Sequence, residues 1–408
     1  MSRVYFLVFL VLIYFGLDYY VFQIIRSLVE DAQPITRKAV LIGYWAFTAF
    51  ALGGVLMYNQ LDPTEFKQLR VFITSAFFIT FVSKLATAIV MLGDDVRRGV
   101  TYLLSWFGEG EQHAPDRADF MKKAALVVGA IPLSAFTFGI ISGAHDYRVR
   151  RRTISFPNLP KAFDGIRIGQ LSDIHTGSFF NKTAVQGGVD MLNAEKPDLV
   201  TFTGDLVNNL SDEAKPYLDI FNKIKAPLGV HSTMGNHDYA DYSGLSQEAK
   251  QKDVKRLHEM HGYMGWNLML NENKRIQVDG EQIGLLGMEN WGAGRFSKYG
   301  DMTKTYAGTE ELPFKILMSH DPSHWDAQVR PQFPDVDLML AGHTHGMQFG
   351  IEIGDWRWSP SKFIYKQWAD LYNEGSQYLY VNRGFGYLGF PGRVGILPEI
   401  TILELKRS

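Results

Sequence analysis

Two histidines one residue apart, His343 and His345, follow an apolar run in the segment LMLAGHTHGMQFG at residues 338–350. Side chains alternate along a strand, so residues two apart at a strand end point the same way. Two imidazoles on one face beside a glycine are typical of metal ligands, and a surface turn is the alternative reading of this fragment alone.

Aspartate, histidine and asparagine also end four further apolar runs of the chain. These residues are Asp173 and His175, Asp205, Asn236 and His237, and His320. In α/β sheets, sites form in the crevice beyond the carboxyl ends of the strands. Five such ends therefore predict one common site, which His343 and His345 complete.

The seven candidate ligands among these residues suit two divalent cations better than one, because a catalytic zinc takes about three protein ligands. Carboxylate and imidazole donors fit Mn²⁺, Zn²⁺ or iron, and the sequence does not choose among them. The chain has no cysteine, which excludes disulfides, thiolate zinc sites and cysteine nucleophiles. Two metals about 3.5–4 Å apart stabilise an in-line displacement at phosphorus.

The motifs SDIHTG, GDLVNN, GNHD, SHDP and GHTHGMQ occur in this order and resemble those of the calcineurin-like metallophosphoesterases. The closing VNRGFGYLGFPGRVGILPEITILEL is similar to their membrane-associated bacterial branch, the YkuE/YaeI-like one, and the resemblance covers residues 150–408. It implies a two-metal phosphoesterase whose nucleophile is a metal-bridging hydroxide. The implied ligands are Asp173, His175 and His345 on the first metal, Asp205 bridging both, and Asn236, His320 and His343 on the second.

The same resemblance leaves His237 beside the phosphate, as a proton donor or a stabiliser of charge on the leaving oxygen. Many relatives carry an aspartate at the position of Asn208, where it orients this histidine. An amide oxygen still accepts the imidazole N–H but brings no charge, and Asp238 is the alternative partner. Arg383 and Arg393, in Gly-rich turns, are candidate phosphate ligands or ordinary surface arginines.

The elements that must position these residues begin near Tyr147, where short β-rich runs alternate with polar helical segments. This alternation predicts an α/β domain over residues 146–408. Denser strand-like runs later in the domain predict a second sheet, and hence a two-sheet β-sandwich flanked by helices. NKTAVQGGVDMLNAEK predicts a helix with Asn181 as its N-cap, and DEAKPYLDIFNKIK predicts another.

The first 145 residues predict an all-α membrane domain of four transmembrane helices. Apolar stretches at residues 4–25, 39–58, 71–92 and 124–143 are each long enough to span a hydrocarbon core. The first lacks an A-x-A-like cleavage site, so a retained helix is favoured over a signal peptide. Asp18 and Lys84 interrupt these stretches, and we expect them to face each other, water or an interface.

The side of the membrane depends on how basic residues are counted. The positive-inside comparison is nearly tied, but the run Arg148, Arg150, Arg151 and Arg152 reads as a strand of a folded domain. Discounting that run places the catalytic domain on the extracytoplasmic side of a bacterial cytoplasmic (inner) membrane. RADFMKKAALVVGA before the fourth span resembles a degenerate twin-arginine export signal.

Other residues carry weaker expectations. His113, His145, His231, His258 and His261 match no motif and are expected on the surface or in the core, whereas His324 is expected to support the ligands. The net charge of −2 argues against a nucleic-acid partner. The aromatic segment DWRWSPSKFIYKQWADLYNEG at residues 355–375 is either a cap at the membrane interface that admits a lipid-linked substrate or a layer packed over the sandwich.

These features together predict a membrane-anchored phosphoesterase that hydrolyses a phosphomonoester, phosphodiester or pyrophosphate bond of a membrane-associated substrate. One alternative is a cytoplasm-facing enzyme that cleaves the pyrophosphate of UDP-2,3-diacylglucosamine in lipid A synthesis. An alternative of another class is a transporter or sensor with a vestigial phosphoesterase domain. The sequence leaves the oligomeric state open.

Overall fold

The computed structural model describes residues 2–62, 66–107 and 115–408. The chain forms two compact units, Met1–Phe138 and Gly139–Ser408. The units divide inside the last long apolar helix, whereas the sequence pattern predicts a domain boundary after residue 145.

The first unit is built on long apolar helices. They are α1 Ser2–Leu28, α2 Pro34–Met57, α3 Lys67–Ser105 and α4 Pro115–Ile141. All four are long and apolar enough to cross a membrane, which confirms the predicted four-helix membrane domain. Helix α3 continues well past residue 92, where the predicted span ended, and an Arg97–Asp94 ion pair one turn apart supports this extension.

A buried ion pair joins two of these helices. Lys84 of α3 pairs with Asp18 of α1, and both side chains are buried. Tyr44 of α2 donates a hydrogen bond of 2.9 Å to the Asp18 carboxylate. The expectation that Asp18 and Lys84 face each other is therefore confirmed, and the pairing compensates charges that would be costly in lipid.

The second unit contains the strands and shorter helices. The strands are β1 Arg148–Phe156, β2 Arg167–Leu171, β3 Leu199–Thr203, β4 Val230–Thr233, β5 Asn267–Leu268, β6 Glu272–Val278, β7 Glu281–Gly287, β8 Lys315–Met318, β9 Leu338–Ala341, β10 Ile351–Ile353, β11 Trp356–Trp358, β12 Asp370–Glu374, β13 Gln377–Val381 and β14 Glu399–Arg407. The helices are α5 Lys182–Ala194, α6 Leu218–Phe221, α7 Gln247–Tyr263, α8 Met302–Tyr306 and α9 Arg330–Gln332.

Two six-stranded sheets pack face to face. One has the order β1-β14-β2-β3-β4-β5 and the other β12-β13-β9-β8-β7-β6. Ile168 and Leu403 of the first sheet share a buried core with Leu285 and Leu340 of the second. Helices α5 and α7 cover the outer face of the first sheet, so the predicted sandwich flanked by helices is confirmed.

Parallel pairing at the centre of each sheet brings the functional turns together. Strands β2, β3 and β4 are parallel to one another, as are β8, β9 and β13. Their carboxyl ends therefore meet at one edge of the sandwich, where sites form in such sheets.

The two predicted helices beside these strands differ in outcome. Asn181 caps α5 by accepting a 3.0 Å hydrogen bond from the Ala184 N–H, as predicted. The segment after β3 instead forms two short 3₁₀ turns, Ser211–Glu213 and Lys215–Tyr217, before the single turn of α6. Pro216 lacks the N–H that a continuous helix needs at this point.

Candidate metal centre

Five of the predicted ligands lie on sharp turns at the strand ends. Asp173, His175, Asp205, His343 and His345 all have positive φ, between 49° and 71°. A non-glycine residue in the left-handed region costs about 1 kcal/mol or more. Such strain persists where the surrounding structure enforces it, and here it turns the side chains into the cleft at the edge of the sandwich.

One group of ligands combines the turns after β2 and β9. Asp173, His175 and His345 each offer an atom within 4.8 Å of the others. His345 Nε2 lies 3.2 Å from Asp173 Oδ1 and 3.0 Å from His175 Nε2. All three side chains are buried, so their donor atoms converge on one small volume.

A second group combines the turns after β3, β8 and β9. Asp205, His320 and His343 again offer atoms within 4.8 Å of one another. Asp205 Oδ2 lies 3.1 Å from His320 Nε2 and 3.6 Å from His175 Nε2 of the first group. The Asp205 carboxylate therefore lies between the two groups, the place that a bridging ligand occupies.

Asn236 supplies a direct test of whether these residues fit a cation. Among the residues that the structure describes, no group hydrogen-bonds the buried Asn236 Oδ1, while Asn236 Nδ2 donates to the Tyr242 hydroxyl at 3.0 Å. A buried acceptor without a partner is costly. The next residue, His237, donates its backbone N–H to Asp205 Oδ1, so an amide oxygen without a partner in this loop fits a divalent metal.

The charges of the site also favour a cation. Burial raises the pKa values of Asp173 and Asp205, but the neighbouring histidines bring both below the ordinary range. Burial lowers the pKa of His175 to about 3. Burial also lowers the pKa of His320, but Asp205 and Asp173 together raise it to about 10. Two carboxylates held in their charged form among imidazoles favour a bound cation.

Hydrogen bonds to the far ring nitrogens orient the histidines. The Nδ1 atoms of His175 and His320 contact the carbonyl oxygens of Val207 at 3.2 Å and Thr203 at 2.7 Å. Donation from Nδ1 leaves Nε2 as the electron-pair donor to a metal.

His343 is held the other way round. Its Nε2 contacts the Tyr365 hydroxyl at 2.7 Å, which leaves Nδ1 facing His320 Nε2 at 3.2 Å. In the sequence, Tyr365 stands out only as a member of the aromatic segment at residues 355–375. Its role at the site has no signal in local spacing, because the contact depends on the path of the chain after β11.

His237 lies beside the groups without belonging to either. Its ring centre is 5.0 Å from that of His175, and its backbone N–H donates to Asp205 Oδ1 at 2.8 Å. Its Nδ1 contacts the backbone carbonyl of Asn208 at 2.6 Å. The expectation that the Asn208 side chain orients His237 is therefore wrong, since the Asn208 amide donates to Ser178 Oγ at 2.9 Å instead.

The alternative assignment of Asp238 as the partner of His237 is also wrong. All the hydrogen bonds that its carboxylate makes within residues 115–408 come from backbone N–H groups, including those of Asp205 and Leu206 at 2.8 Å and Gly235 at 2.9 Å. Burial and the charge of Asp205 raise the pKa of Asp238 to about 7. Asp238 therefore holds the loop that carries a ligand.

The two candidate phosphate arginines are buried and already engaged. Arg383 pairs with Glu399 at 2.6 Å, Glu352 at 2.7 Å and Asp370 at 3.2 Å.

Arg393 donates to the Gly386 carbonyl at 2.8 Å, and its Nη2 lies 3.1 Å from His345 Nδ1. A buried guanidinium must satisfy its donors inside the protein. Both alternatives for Arg383 and Arg393, phosphate ligands and ordinary surface arginines, are therefore corrected, because both side chains are buried and paired within the fold around the site.

The remaining histidines follow expectation where the structure describes them. His324 contacts Ser319 Oγ at 2.9 Å and so supports the turn of His320. Elsewhere, His231 contacts the Leu228 carbonyl and His261 contacts Ser232, both away from the ligand groups. His113 lies outside the described residues.

Comparison with known families agrees with this geometry. Residues 2–144 match the family described as probable calcineurin-like phosphoesterase, transmembrane domain. Residues 166–347 match the calcineurin-like phosphoesterase family. The second match includes all seven predicted ligands.

Individual relatives extend the similarity along the chain. Metallophosphoesterase YkuE of Bacillus subtilis (strain 168) is 28% identical over 298 residues, 72% of this chain and 98% of that protein. A transmembrane protein with metallophosphoesterase domain of Danio rerio is 30% identical over 292 residues, 70% of this chain and 62% of that protein. A metallophosphoesterase of Helicobacter pylori (strain ATCC 700392 / 26695) is 25% identical over 413 residues, 97% of this chain and 96% of that protein.

Proposed function

We propose that this chain, which belongs to the calcineurin-like metallophosphoesterases with a four-helix transmembrane domain, hydrolyses a phosphomonoester, phosphodiester or pyrophosphate bond of a membrane-associated substrate. The observation that carries the proposal is the position of Asp205. Its Oδ2 lies within 3.1 Å of a histidine of one ligand group and 3.6 Å of a histidine of the other. One carboxylate shared by two N/O ligand groups is the arrangement that two-metal hydrolysis at phosphorus requires.

The residues divide into two ligand sets around that carboxylate. Asp173, His175 and His345 would hold one divalent cation, and Asn236, His320 and His343 the other, with Asp205 common to both. Bound there, Mn²⁺, Zn²⁺ or iron would polarise the phosphoryl oxygens and lower the pKa of a shared water. Backbone carbonyls orient His175 and His320, and the Tyr365 hydroxyl holds His343, so the protein provides a preorganised site.

In this proposal, His237 donates a proton to the leaving oxygen or stabilises its charge. It is half-buried next to the ligands, and its Nδ1 is held by the Asn208 carbonyl. Donation from Nδ1 leaves Nε2 free to hold a proton at the leaving oxygen or to stabilise its charge. The neutral carbonyl partner orients the ring without adding negative charge, so His237 acts without a carboxylate behind it.

The domain faces the extracytoplasmic side of the bacterial cytoplasmic membrane in this proposal. What supports it is β1, which contains Arg148, Arg150, Arg151 and Arg152 and is paired along its length with β14. Basic residues inside a folded domain carry little weight in the positive-inside comparison. A reporter fused after residue 408 tests the orientation, and a cytoplasmic signal would contradict it.

The hydrolase activity is tested with the full chain purified in detergent. The chain is stripped with a chelator, resupplied with Mn²⁺, Zn²⁺ or Fe²⁺, and assayed on soluble aryl phosphomonoesters and phosphodiesters. Asp205→Asn should abolish metal-dependent turnover, whereas Asp190→Asn, an exposed aspartate on α5, should not. Activity that survives stripping or Asp205→Asn would contradict the proposal, and a wild-type chain that is inactive with every metal would favour a vestigial domain.

A further inference from the structure

The short hairpin after the last ligands exposes its apolar face and turns its charged face toward the protein. In β10–β11, Ile351 pairs with Trp358, Glu352 with Arg357, and Ile353 with Trp356. Side chains alternate along strands, so the charged pair lies on one face and the apolar pairs on the other. Ile353 and Trp356 are 70% and 58% exposed.

The charged face of the hairpin points into the protein. Glu352 pairs with the buried Arg383 at 2.7 Å and also with Arg150 of β1. Arg357 lies 3.3 Å from Asp370 of β12. These ion pairs fix the hairpin against both sheets, and they fix it with its apolar side outward.

Neighbouring residues enlarge this exposed apolar side. Phe363 is 75% exposed, and the exposed Lys362 places its ammonium 5.4 Å from the centre of the Phe363 ring. We call the whole surface the apolar face, and its residues are Met347, Ile351, Ile353, Trp356, Phe363 and Ile364. Large contiguous apolar surfaces mark sites that dock on proteins or membranes, and aromatic residues beside a lysine are typical of a membrane interface.

A main-chain hydrogen bond joins the segment beside β10 to the end of a candidate membrane-spanning helix. Within Gly139–Ser408, the Arg393 N–H donates to the Gly139 carbonyl at 3.1 Å, and Gly139 lies in the candidate span Arg117–His145. The next residue, Val394, donates to the Gln348 carbonyl at 2.8 Å and accepts from the Gly350 N–H at 2.9 Å. This short path leads from the end of the candidate span to β10.

The close contact between the helix end and the Arg393 backbone depends on two glycines. A Cβ atom on Gly139 would lie 2.8 Å from the Arg393 carbonyl oxygen, and one on Gly143 would lie 2.1 Å from it. Glycine at both positions allows the Arg393–Val394 backbone to lie directly on the helix end. The connection between residues 139–143 and the segment beside the hairpin is thus built from backbone contacts.

The apolar face is also continuous with the ligand turns. It begins two residues after His345, and Ser359 Oγ donates to the Gly346 carbonyl at 2.6 Å. It ends next to Tyr365, whose hydroxyl contacts His343 Nε2 at 2.7 Å. Whatever covers the apolar face therefore lies beside the turns that carry His343 and His345.

We propose that the apolar face inserts into the interfacial layer of the membrane that α4 enters, and that it presents the ligand groups to a phosphoester carried on a lipid. This inference rests on the proposed function for the chemistry but not for the docking. The occupant is the bilayer surface. A second copy of the chain and a soluble protein are the other occupants that the test distinguishes.

Insertion is measured with single cysteines, because the chain contains none of its own. Ile353→Cys and Phe363→Cys, with Lys255→Cys on the exposed surface of α7 as the matched control, are labelled with an environment-sensitive fluorophore. The full chain is placed in vesicles of phosphatidylethanolamine and phosphatidylglycerol that contain a nitroxide-labelled lipid. We expect the nitroxide to quench the labels at 353 and 363 and to leave the label at 255 unquenched.

Two results would overturn the docking proposal. Quenching at 353 and 363 no stronger than at 255 would show that the apolar face stays in water or under a protein. Shielding that appears only at high protein-to-lipid ratio would show that a second copy covers it. Both readouts are independent of catalysis, so they stand even if the proposed hydrolase activity fails.

A matched pair of substrates tests delivery. A nitrophenyl phosphodiester is offered once on a diacylglycerol tail in vesicles and once on a short soluble alkyl chain. The Ile353→Ser, Phe363→Ser double variant should lower the ratio of lipid to soluble turnover about tenfold, or about 1.4 kcal/mol, less than the burial of two large apolar side chains provides. An unchanged ratio would contradict the proposal, whereas a wild-type chain that cleaves neither substrate would refute the proposed function instead.

Discussion

Replacing Tyr365 by phenylalanine tests how the second ligand group is held. The Tyr365 hydroxyl contacts His343 Nε2 at 2.7 Å, and the nearest carboxylate to that nitrogen is Asp321 at 3.9 Å, too far to replace it. Loss of the partner of a metal-ligating histidine costs about 10- to 100-fold in metal affinity or activity. We therefore expect Tyr365→Phe to weaken the second metal by that factor, about 1.4–2.8 kcal/mol.

The assay is titration of the stripped full chain with Mn²⁺, followed by turnover of a soluble aryl phosphodiester at each metal concentration. Turnover of Tyr365→Phe should recover at high metal concentration, because the ligands themselves remain. Tyr372→Phe is the matched control, since among the described residues that hydroxyl accepts hydrogen bonds from backbone N–H groups, including one of 3.1 Å from Trp368. Wild-type metal affinity in Tyr365→Phe, or an equal loss in Tyr372→Phe, would refute the reasoning.

Three further predictions concern other residues around the site. Asn208→Ala should change turnover less than about twofold, because the Asn208 backbone carbonyl, which the substitution keeps, holds His237. A loss of about 10- to 100-fold, as expected for a side chain that orients the histidine, would contradict this. Gly342→Ala should abolish metal binding as measured by bound-metal analysis, since its Cβ would lie 2.1 Å from Asp173 Oδ2; full metal content would contradict it. Arg383→Met should destabilise the domain by about 3–5 kcal/mol, as read from thermal unfolding in detergent, because it removes the 2.6 Å partner of the buried Glu399 carboxylate. Burial raises the pKa of Asp370, but Arg152 and Arg383 hold it below the ordinary range. The stability that this pairing contributes is therefore present above the ordinary carboxylate pKa, and it is lost as the pH falls through the lowered pKa of Asp370. An Arg383→Met chain with unchanged acid sensitivity would contradict this.

Much of the site could be predicted because its signals are local. Each ligand directly follows an apolar run and lies next to a turn former, so the strand ends and the ligand set are visible in short segments such as SDIHTG and GHTHGMQ. Span length alone predicted the membrane helices. The meeting of Asp18 and Lys84 followed from the cost of isolated charges in lipid.

The parts that failed depend on contacts between distant segments. Arg383 is paired with Glu352, Asp370 and Glu399, and nothing near Arg383 in the sequence predicts this arrangement. The partner of His237 is a main-chain carbonyl, which every residue type provides and which therefore leaves no sequence signal. Only the folded path of the chain identifies such partners.

The reversal of the hairpin faces could be predicted only in part. The density of aromatics in residues 355–375 drew attention to the segment, but two outcomes were open. Trp368 is buried and packs with Ile396, so this residue joins the core as the packing alternative predicted. Trp356 remains exposed because Glu352 and Arg357 turn the other face of the hairpin inward. Phe363, in the turn after the hairpin, is exposed as well.

The central claim, two metals around one carboxylate, is tested most directly by counting Mn²⁺ in the reloaded full chain and recording its electron paramagnetic resonance spectrum. The wild-type chain should bind two ions whose spins are coupled, as expected for metals about 3.5–4 Å apart. His345→Ala should retain a single uncoupled ion held by the Asp205, His320 and His343 group. A wild-type chain that binds one ion, or two ions without coupling, would contradict the account.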